Sequence, residues 1–120
     1  MNSRSQLGKA GENIVVAALK KKGYSILDRN YRRQYGEIDI IAGKKDLLLF
    51  VEVKMRKNPR FDLEYLITYS KQRKIVTVAK EYIARYNHDQ KTCRFDVALI
   101  EGTIKNHKLT YIPNAFEDID

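Results

Sequence analysis

The sequence predicts an α/β fold, a small mixed sheet of about five strands flanked by helices in the order α-β-β-β-α-β-β. Three observations carry that expectation. Apolar residues recur at helical spacing from Leu7 to Ala18 and again from Ile75 to Tyr86. Short apolar or alternating runs, bounded by turn residues, lie between and after them at Gly36–Ala42, Leu47–Lys54 and Arg94–Glu101. A chain of 120 residues is also long enough for one hydrophobic core, so residues 1–120 are expected to form a single domain with an ordered core of about 5–117.

The elements follow in order. Ser3 or Ser5 can cap a first helix that runs to about Lys22 and stops at Gly23. Leu7, Ala10, Ile14, Ala17 and Ala18 form its expected core stripe, with Glu12 at the margin of the apolar surface. Lys20 to Lys22 read as a helix C-terminus, where cations complement the dipole. Tyr24–Leu27 reads as a short strand. Gly36–Ala42 and Leu47–Lys54 read as strands joined by Gly43-Lys-Lys-Asp46, a loop of hairpin length. Met55 to Arg60 is a basic loop, and Pro59 ends any strand before it. Phe61–Tyr69 is ambiguous, a helical turn at most. Ser70 is the expected cap of a second helix that buries Ile75, Val78, Ala79, Tyr82, Ile83 and Tyr86. Its first turn carries Lys71, Arg73 and Lys74, against the helix dipole. Arg94–Glu101 alternates as a strand, and Lys108–Ile112 reads as the last one.

Charge narrows the partners. Lys and Arg number 23 against 15 Asp and Glu, a net charge of +8, which favours polyanions, nucleic acid first and anionic membrane second. The single Cys93 excludes an intrachain disulfide and a cysteine-rich zinc site. The first eight residues carry no apolar stretch like a signal peptide, and Leu47–Val53 is far too short to span a bilayer. The cytoplasm is therefore the expected compartment. No Ser/His/Asp or Cys/His nucleophile set and no phosphate-cradling glycine loop is present.

The sharpest signal is charge placed in strands that are otherwise apolar. Glu37 and Asp39 lie in Gly36-Glu-Ile-Asp-Ile-Ile-Ala42, and Glu52 and Lys54 lie in Leu47-Leu-Leu-Phe-Val-Glu-Val-Lys54. Desolvating an ionised group alone costs several kcal/mol or more, so each needs a partner or a metal. Strand alternation puts Glu37 with Asp39 on one face and Glu52 with Lys54 on one face. If the loop pairs Ala42 with Leu47, Glu37 sits opposite Glu52, Asp39 sits opposite Phe50, and all four charges share a side. Like charges facing each other in a sheet call for a cation, and an all-oxygen set suits Mg²⁺ or Mn²⁺. Asp39 and Glu52 would hold that ion against a phosphate, Lys54 would orient a water or neutralise charge, and Glu12 could complete the shell. The bland alternative is a surface salt bridge between Glu37 and Lys54.

The run Leu7-Gly-Lys-Ala-Gly-Glu12, then Gly36-Glu-Ile-Asp39, Phe50-Val-Glu-Val-Lys54-Met-Arg56, Lys71-Gln-Arg-Lys-Ile75 and Arg94-Phe-Asp-Val97, resembles the YraN-like family. These small bacterial proteins are assigned to the PD-(D/E)xK, or restriction-endonuclease-like, superfamily and look similar to archaeal Holliday junction resolvases. The resemblance covers Leu7 to Glu117. It implies a restriction-endonuclease-like sheet, a divalent-metal site, a homodimer, and Glu12, Asp39, Glu52 and Lys54 as the catalytic set, with Glu37 beside them. Three departures stand out. Ile38 takes the place of the superfamily's proline, Met55 replaces a hydroxyl residue expected after the lysine, and Phe61–Tyr69 lacks an expected Gly-Pro element.

Arg56, Lys57, Arg60, Lys71, Arg73 and Lys74 flank the site in sequence and are candidates to track a phosphate backbone, although a solvated basic surface accounts for each equally well. Tyr31 and Tyr35 could stack on unpaired bases, but core or edge packing is the preferred reading. Arg94 and Asp96 sit two apart on a strand and are expected to pair and support the sheet. His88 and His107 read as loop residues. The sequence thus points to a divalent-metal-dependent endonuclease acting on DNA, with branched or damaged structures as candidate substrates. A nucleic-acid-binding module without catalysis is the main alternative, and a scaffold with a basic surface is the third.

Overall fold

One five-stranded sheet runs in chain order, β1-β2-β3-β4-β5, in a computed structural model that describes residues 4–56 and 66–118. Its strands are β1 (Ser25–Arg33), β2 (Gly36–Lys44), β3 (Leu47–Arg56), β4 (Thr92–Gly102) and β5 (His107–Phe116). The helices among the described residues are α1 (Arg4–Lys21) and α2 (Tyr69–Arg85). Every neighbouring pair is antiparallel except β3 with β4, which is parallel and has α2 in its crossover. The expected order α-β-β-β-α-β-β and the mixed sheet are therefore what is found. The proposed Ser3 cap, Lys57, Arg60 and most of Phe61–Tyr69 lie outside the described residues.

The two helices cover opposite faces. On the α2 side, Ile75, Val78, Ala79 and Tyr82 pack against Ile41, Leu48, Phe50 and Phe95 of the sheet. On the α1 side, Val15, Val16 and Leu19 pack against Ile40, Leu49, Val51 and Ile100. β3 and β4 send residues into both layers, which is why their sequences read as nearly continuous apolar runs.

Several expectations need correction. The buried stripe of α1 is Gly11, Val15, Val16 and Leu19, whereas Leu7 and Ala17 are exposed. Val15, Val16 and Leu19 bury more apolar area than Ala17 would, so the helix turns that side inward. Gly11 allows that approach, since a Cβ there would lie 2.7 Å from Met55 Sδ. Met55 thus packs under α1, on the face opposite Lys54, so its replacement of a hydroxyl residue leaves the carboxylate face untouched. Ser5 lies inside α1 rather than capping it. At the other end, Gly23 (φ 93°) closes the helix, its N–H donating to Lys20 O and that of Tyr24 to Leu19 O.

β1 runs to Arg33, well past Leu27. Its second half looks polar because it is an edge strand, paired with β2 alone. Tyr31 is the exception, buried with its ring edge-on to Tyr82 at 5.1 Å. The α2 cap is Thr68, whose Oγ1 accepts from the Lys71 N–H at 3.2 Å, not Ser70. Val76 joins the buried face, and Tyr86 stays largely exposed at the helix C-cap.

β5 also outruns its expected end, and buried Asp96 explains how. Between Phe95↔Phe116 and Val97↔Ile112 the register slips, leaving Pro113 to Ala115 opposite one β4 residue. Asp96 Oδ1 accepts the N–H of Asn114 (φ 52°) at 2.8 Å, and its carboxylate also takes bonds from Tyr111 Oη and from Arg94 Nε and Nη2 at 2.9 and 3.0 Å. The expected Arg94–Asp96 pair forms, and it anchors a bulge. Asp96→Ala leaves four donor groups on three residues without an acceptor, so a loss of about 3 kcal/mol is expected. Thermal denaturation followed by circular dichroism should show a Tm roughly 10 °C lower than wild type.

Candidate active site

β2 and β3 pair from Lys44↔Leu47 only as far as Ile40↔Val51, although β2 extends to Gly36 and β3 to Arg56. Beyond that point β2 stays with β1, through Ile38↔Tyr31 and Glu37↔Arg32, and β3 stays with β4 out to Arg56↔Glu101. The sheet splits there into two halves. The first residues past the split are Asp39 on one side and Glu52 on the other. Asp39 Oδ2 accepts the Val53 N–H at 2.8 Å, so a carboxylate takes a backbone donor at the fork.

The expected register is wrong by two residues. The hairpin turns through Lys45 and Asp46 alone, with Lys45 left-handed at φ 54°, the hand that two-residue hairpin turns favour. Ala42 therefore faces Leu49, Phe50 faces Ile41, and Asp39 rather than Glu37 stands level with Glu52. An even displacement leaves the residues on each face unchanged, so Asp39, Glu52 and Lys54 still converge.

Each charge has a distinct setting. Glu52 is buried, and its Oε1 lies 3.3 Å from Lys54 Nζ and 3.1 Å from Lys71 Nζ, which reaches in from the first turn of α2. Glu12 comes from α1 and is tied to β1, its Oε1 accepting from Asn30 Nδ2 at 3.1 Å and lying 3.5 Å from Arg29 Nη2. Asn30 (φ 52°) flanks Asp39 across the β1–β2 pairing. Glu37 pairs with Arg32 at 3.0 Å, and the surface bridge to Lys54 does not form. Asp39 makes no ion pair among the described residues.

The electrostatics single out the same residue. Burial, aided by the charges of Glu52, Glu12 and Glu37, pushes the Asp39 carboxyl up to about 7, with the Val53 N–H working the other way. Burial and the neighbouring Lys71 lower Lys54, against the pull of Glu52. Lys71 resists the lowering by burial, and Lys54 and Glu52 hold it above its ordinary value. Two adjacent lysines are thus made unlike.

Among the described residues, no three His, Cys, Asp or Glu side chains converge tightly enough to enclose an ion. The donor chemistry still suits a hard cation. Mg²⁺ keeps several waters and needs only one or two carboxylates besides phosphate oxygens. Half-buried Asp39 beside buried Glu52, with no base of its own among the described residues, is such a pair. Of the other candidates, Arg56 is exposed with Nη1 on Met55 O at 2.8 Å, Arg73 lies 3.6 Å from Asp118, and Lys74 is exposed on α2. Lys71 belongs in the centre of the site rather than on a flanking track. The sequence signal for it was a first helical turn rich in cations and free of acids. Arg29 and Asn30 carried no such signal.

A Holliday junction resolvase, Hjc of Archaeoglobus fulgidus, superposes on the chain with a TM-score of 0.56 over 84% of this chain and 74% of that one, at 22% identity. The fold is thus that of the restriction-endonuclease-like nucleases of the Hjc type. The profile of the "Uncharacterised protein family UPF0102" matches residues 11–100. UPF0102 proteins of Dictyoglomus turgidum (40% identical, covering 97% of this chain and 100% of that one) and Alkaliphilus metalliredigens (44%, covering 92% and 96%) align nearly end to end. The chain belongs to the UPF0102 family, the YraN-like family its motifs resemble.

The raised Asp39 carboxyl has a consequence for stability. A group whose folded value exceeds its ordinary 3.8 favours the folded state fully below 3.8, and that contribution is lost as pH rises through about 7. Asp39→Asn keeps an acceptor for the Val53 N–H and removes the charge. In chelator-containing buffer it should melt above wild type at pH 8 and lose that component of the pH dependence. Thermal melts from pH 5 to 8.5 check this; a wild-type protein that gains on the variant with rising pH contradicts it.

Proposed function

We propose that this chain is a divalent-metal-dependent endonuclease that hydrolyses DNA phosphodiester bonds. The observation that carries the reading is the fork itself, where half-buried Asp39 and buried Glu52 meet with Lys54 and Lys71 beside them. Asp39 and Glu52 would hold Mg²⁺ or Mn²⁺, with Glu12 within electrostatic reach of Asp39. Glu37, paired with Arg32, plays the lesser part. When bound, the ion polarises the scissile phosphate and makes the attacking water more acidic.

The chain's own residues divide the remaining work. Glu52 anchors both lysines through one oxygen and so sets where their Nζ atoms stand. Lys54, whose ammonium is disfavoured by burial and by Lys71 but held by Glu52, orients the attacking water. Lys71, biased toward the ammonium, faces the negative charge that builds on the phosphate oxygens as water attacks phosphorus and the ester oxygen leaves. The net charge of +8 draws the polyanion in. Likeness to a fold found in a Holliday junction resolvase makes branched DNA the first substrate to try; the homodimer that the family resemblance implies is checked by light scattering.

The second reading is a binding module that keeps the fold without cutting. It is favoured by the absence of a preformed three-ligand cluster among the described residues and by the two lysines on Glu52 Oε1.

Purified protein should be incubated with duplex, single-stranded, flapped and four-way DNA in Mg²⁺, Mn²⁺ or EDTA. Cutting is expected with metal only, reduced on the order of a hundredfold or more in Asp39→Ala and Lys54→Ala. Cutting that survives EDTA or both substitutions removes the mechanism, and binding without cutting selects the second reading. Mn²⁺ should also raise the Tm of wild type and not of Asp39→Ala, since a ligand that binds only the folded site stabilises it. Lys71→Ala should lower turnover of bound DNA more than it weakens binding, which single-turnover kinetics separates from affinity.

A further inference from the structure

Where the β1–β2 turn meets α2, two aromatic rings stand in solvent. Tyr35 is 61% exposed and Tyr69 is 64% exposed, which overturns core or edge packing as the reading for Tyr35. Among the described residues neither ring packs on another aromatic ring. Both line an open groove of about 740 Å³, together with Arg73, Lys74 and Thr77. Gly36 lies against α2 here, where a Cβ would stand at ordinary van der Waals distance from Lys74 and Val78.

The groove adjoins a cavity that reaches Lys71. This second cavity, of about 220 Å³, shares Ser70 and Lys74 with it and is also lined by Glu37 and by Lys71, the lysine on Glu52 Oε1. Cations line the way from the rings to the carboxylates, and the first turn of α2 holds no acidic residue to oppose an anion. Arg73 is shared with Asp118, which leaves Lys74 the more available of the two. Exposed rings beside cations suit a ligand with alternating flat faces and phosphates. Bases inside a duplex are already stacked on one another, so only an unpaired strand can present its faces to these tyrosines.

We propose that this groove holds an unpaired DNA strand beside the candidate active site, with Tyr35 and Tyr69 stacking on its bases and Lys74 and Arg73 on its phosphates. The inference rests on the nucleic-acid reading above and names its substrate class, a duplex that adjoins a single-stranded arm. An arm in the groove would place the duplex–arm junction near Glu52 and Asp39.

Fluorescence anisotropy in EDTA, with the full chain, compares a blunt duplex with the same duplex carrying a single-stranded arm of about ten nucleotides. Wild type should bind the armed duplex more tightly. The double variant Tyr35→Ala/Tyr69→Ala should lose about tenfold in affinity for the armed duplex, bringing the ratio toward one. Tyr35→Phe/Tyr69→Phe keeps the stacking faces and should keep the preference. Thermal melts verify folding, and each single alanine variant gives a partial loss should the double variant unfold. Equal wild-type affinity for the two DNAs, or a preference that survives both alanines, overturns the inference. Metal-dependent cutting without arm preference overturns it alone; arm preference without cutting overturns the nuclease reading alone.

Discussion

The end of pairing between β2 and β3 is the constraint on which the rest of the site depends. A continuous ladder through residues 36–56 would align Asp39 with Glu52 inside a sheet covered on both faces, where like charges directly opposite are destabilising. The strands instead pair through Ile40↔Val51 and then part, each keeping its outer neighbour. The gap exposes backbone donors at the fork, and Asp39 Oδ2 satisfies the one at Val53. The carboxylate that repels Glu52 is therefore also held beside it by a backbone hydrogen bond. A site made this way is fixed by sheet geometry rather than by loops, which favours precise placement of its side chains.

The fork also lets both helices contribute. Glu12 of α1 and Lys71 of α2 lie on helices that cover opposite faces of the sheet, yet both act on the same pair of strand carboxylates. A closed sheet would screen one from the other. Thr68 caps α2 through the Lys71 N–H, so the residue that starts the helix also fixes where Lys71 leaves it. The helix carries cations in its first turn at some cost against its dipole. That cost is local, and the buried charge of Glu52 offsets it at Lys71.

Much of this was legible in the sequence, and the gaps have physical causes. Charges within Ile-Asp-Ile-Ile and Phe-Val-Glu-Val-Lys could be recognised because burial makes such residues expensive. The element order followed from periodicity, which survives tertiary context. Register did not, because Gly43-Lys-Lys-Asp46 permits either a four-residue loop or a two-residue turn, and only the fold selects Lys45 at positive φ. The polar half of β1 hid as a loop because an edge strand needs few apolar residues. Glu12 could be placed by family motif, but its partners Arg29 and Asn30 sit on that hidden strand. Lys71 looked like one surface cation among several, since nothing in a linear sequence shows which of three adjacent cations points at a buried carboxylate.

The bland account of these charges is a set of structural salt bridges, and it can be examined carboxylate by carboxylate. Glu37 has Arg32, Glu12 has Arg29 and Asn30, and Glu52 has two lysines. If structure were the whole purpose, Asp39 would be matched as well, being the carboxylate at the centre of the group. Among the described residues it has only a backbone N–H, and burial beside three other acids pushes it up to about 7. Replacing it with asparagine would keep that hydrogen bond and remove the repulsion, so a purely structural site has a cheaper solution. Keeping an acid at the position in this group that no described base matches concentrates the demand for a cation there. That demand, more than the number of carboxylates, distinguishes a centre built to receive charge from a network that has already balanced it.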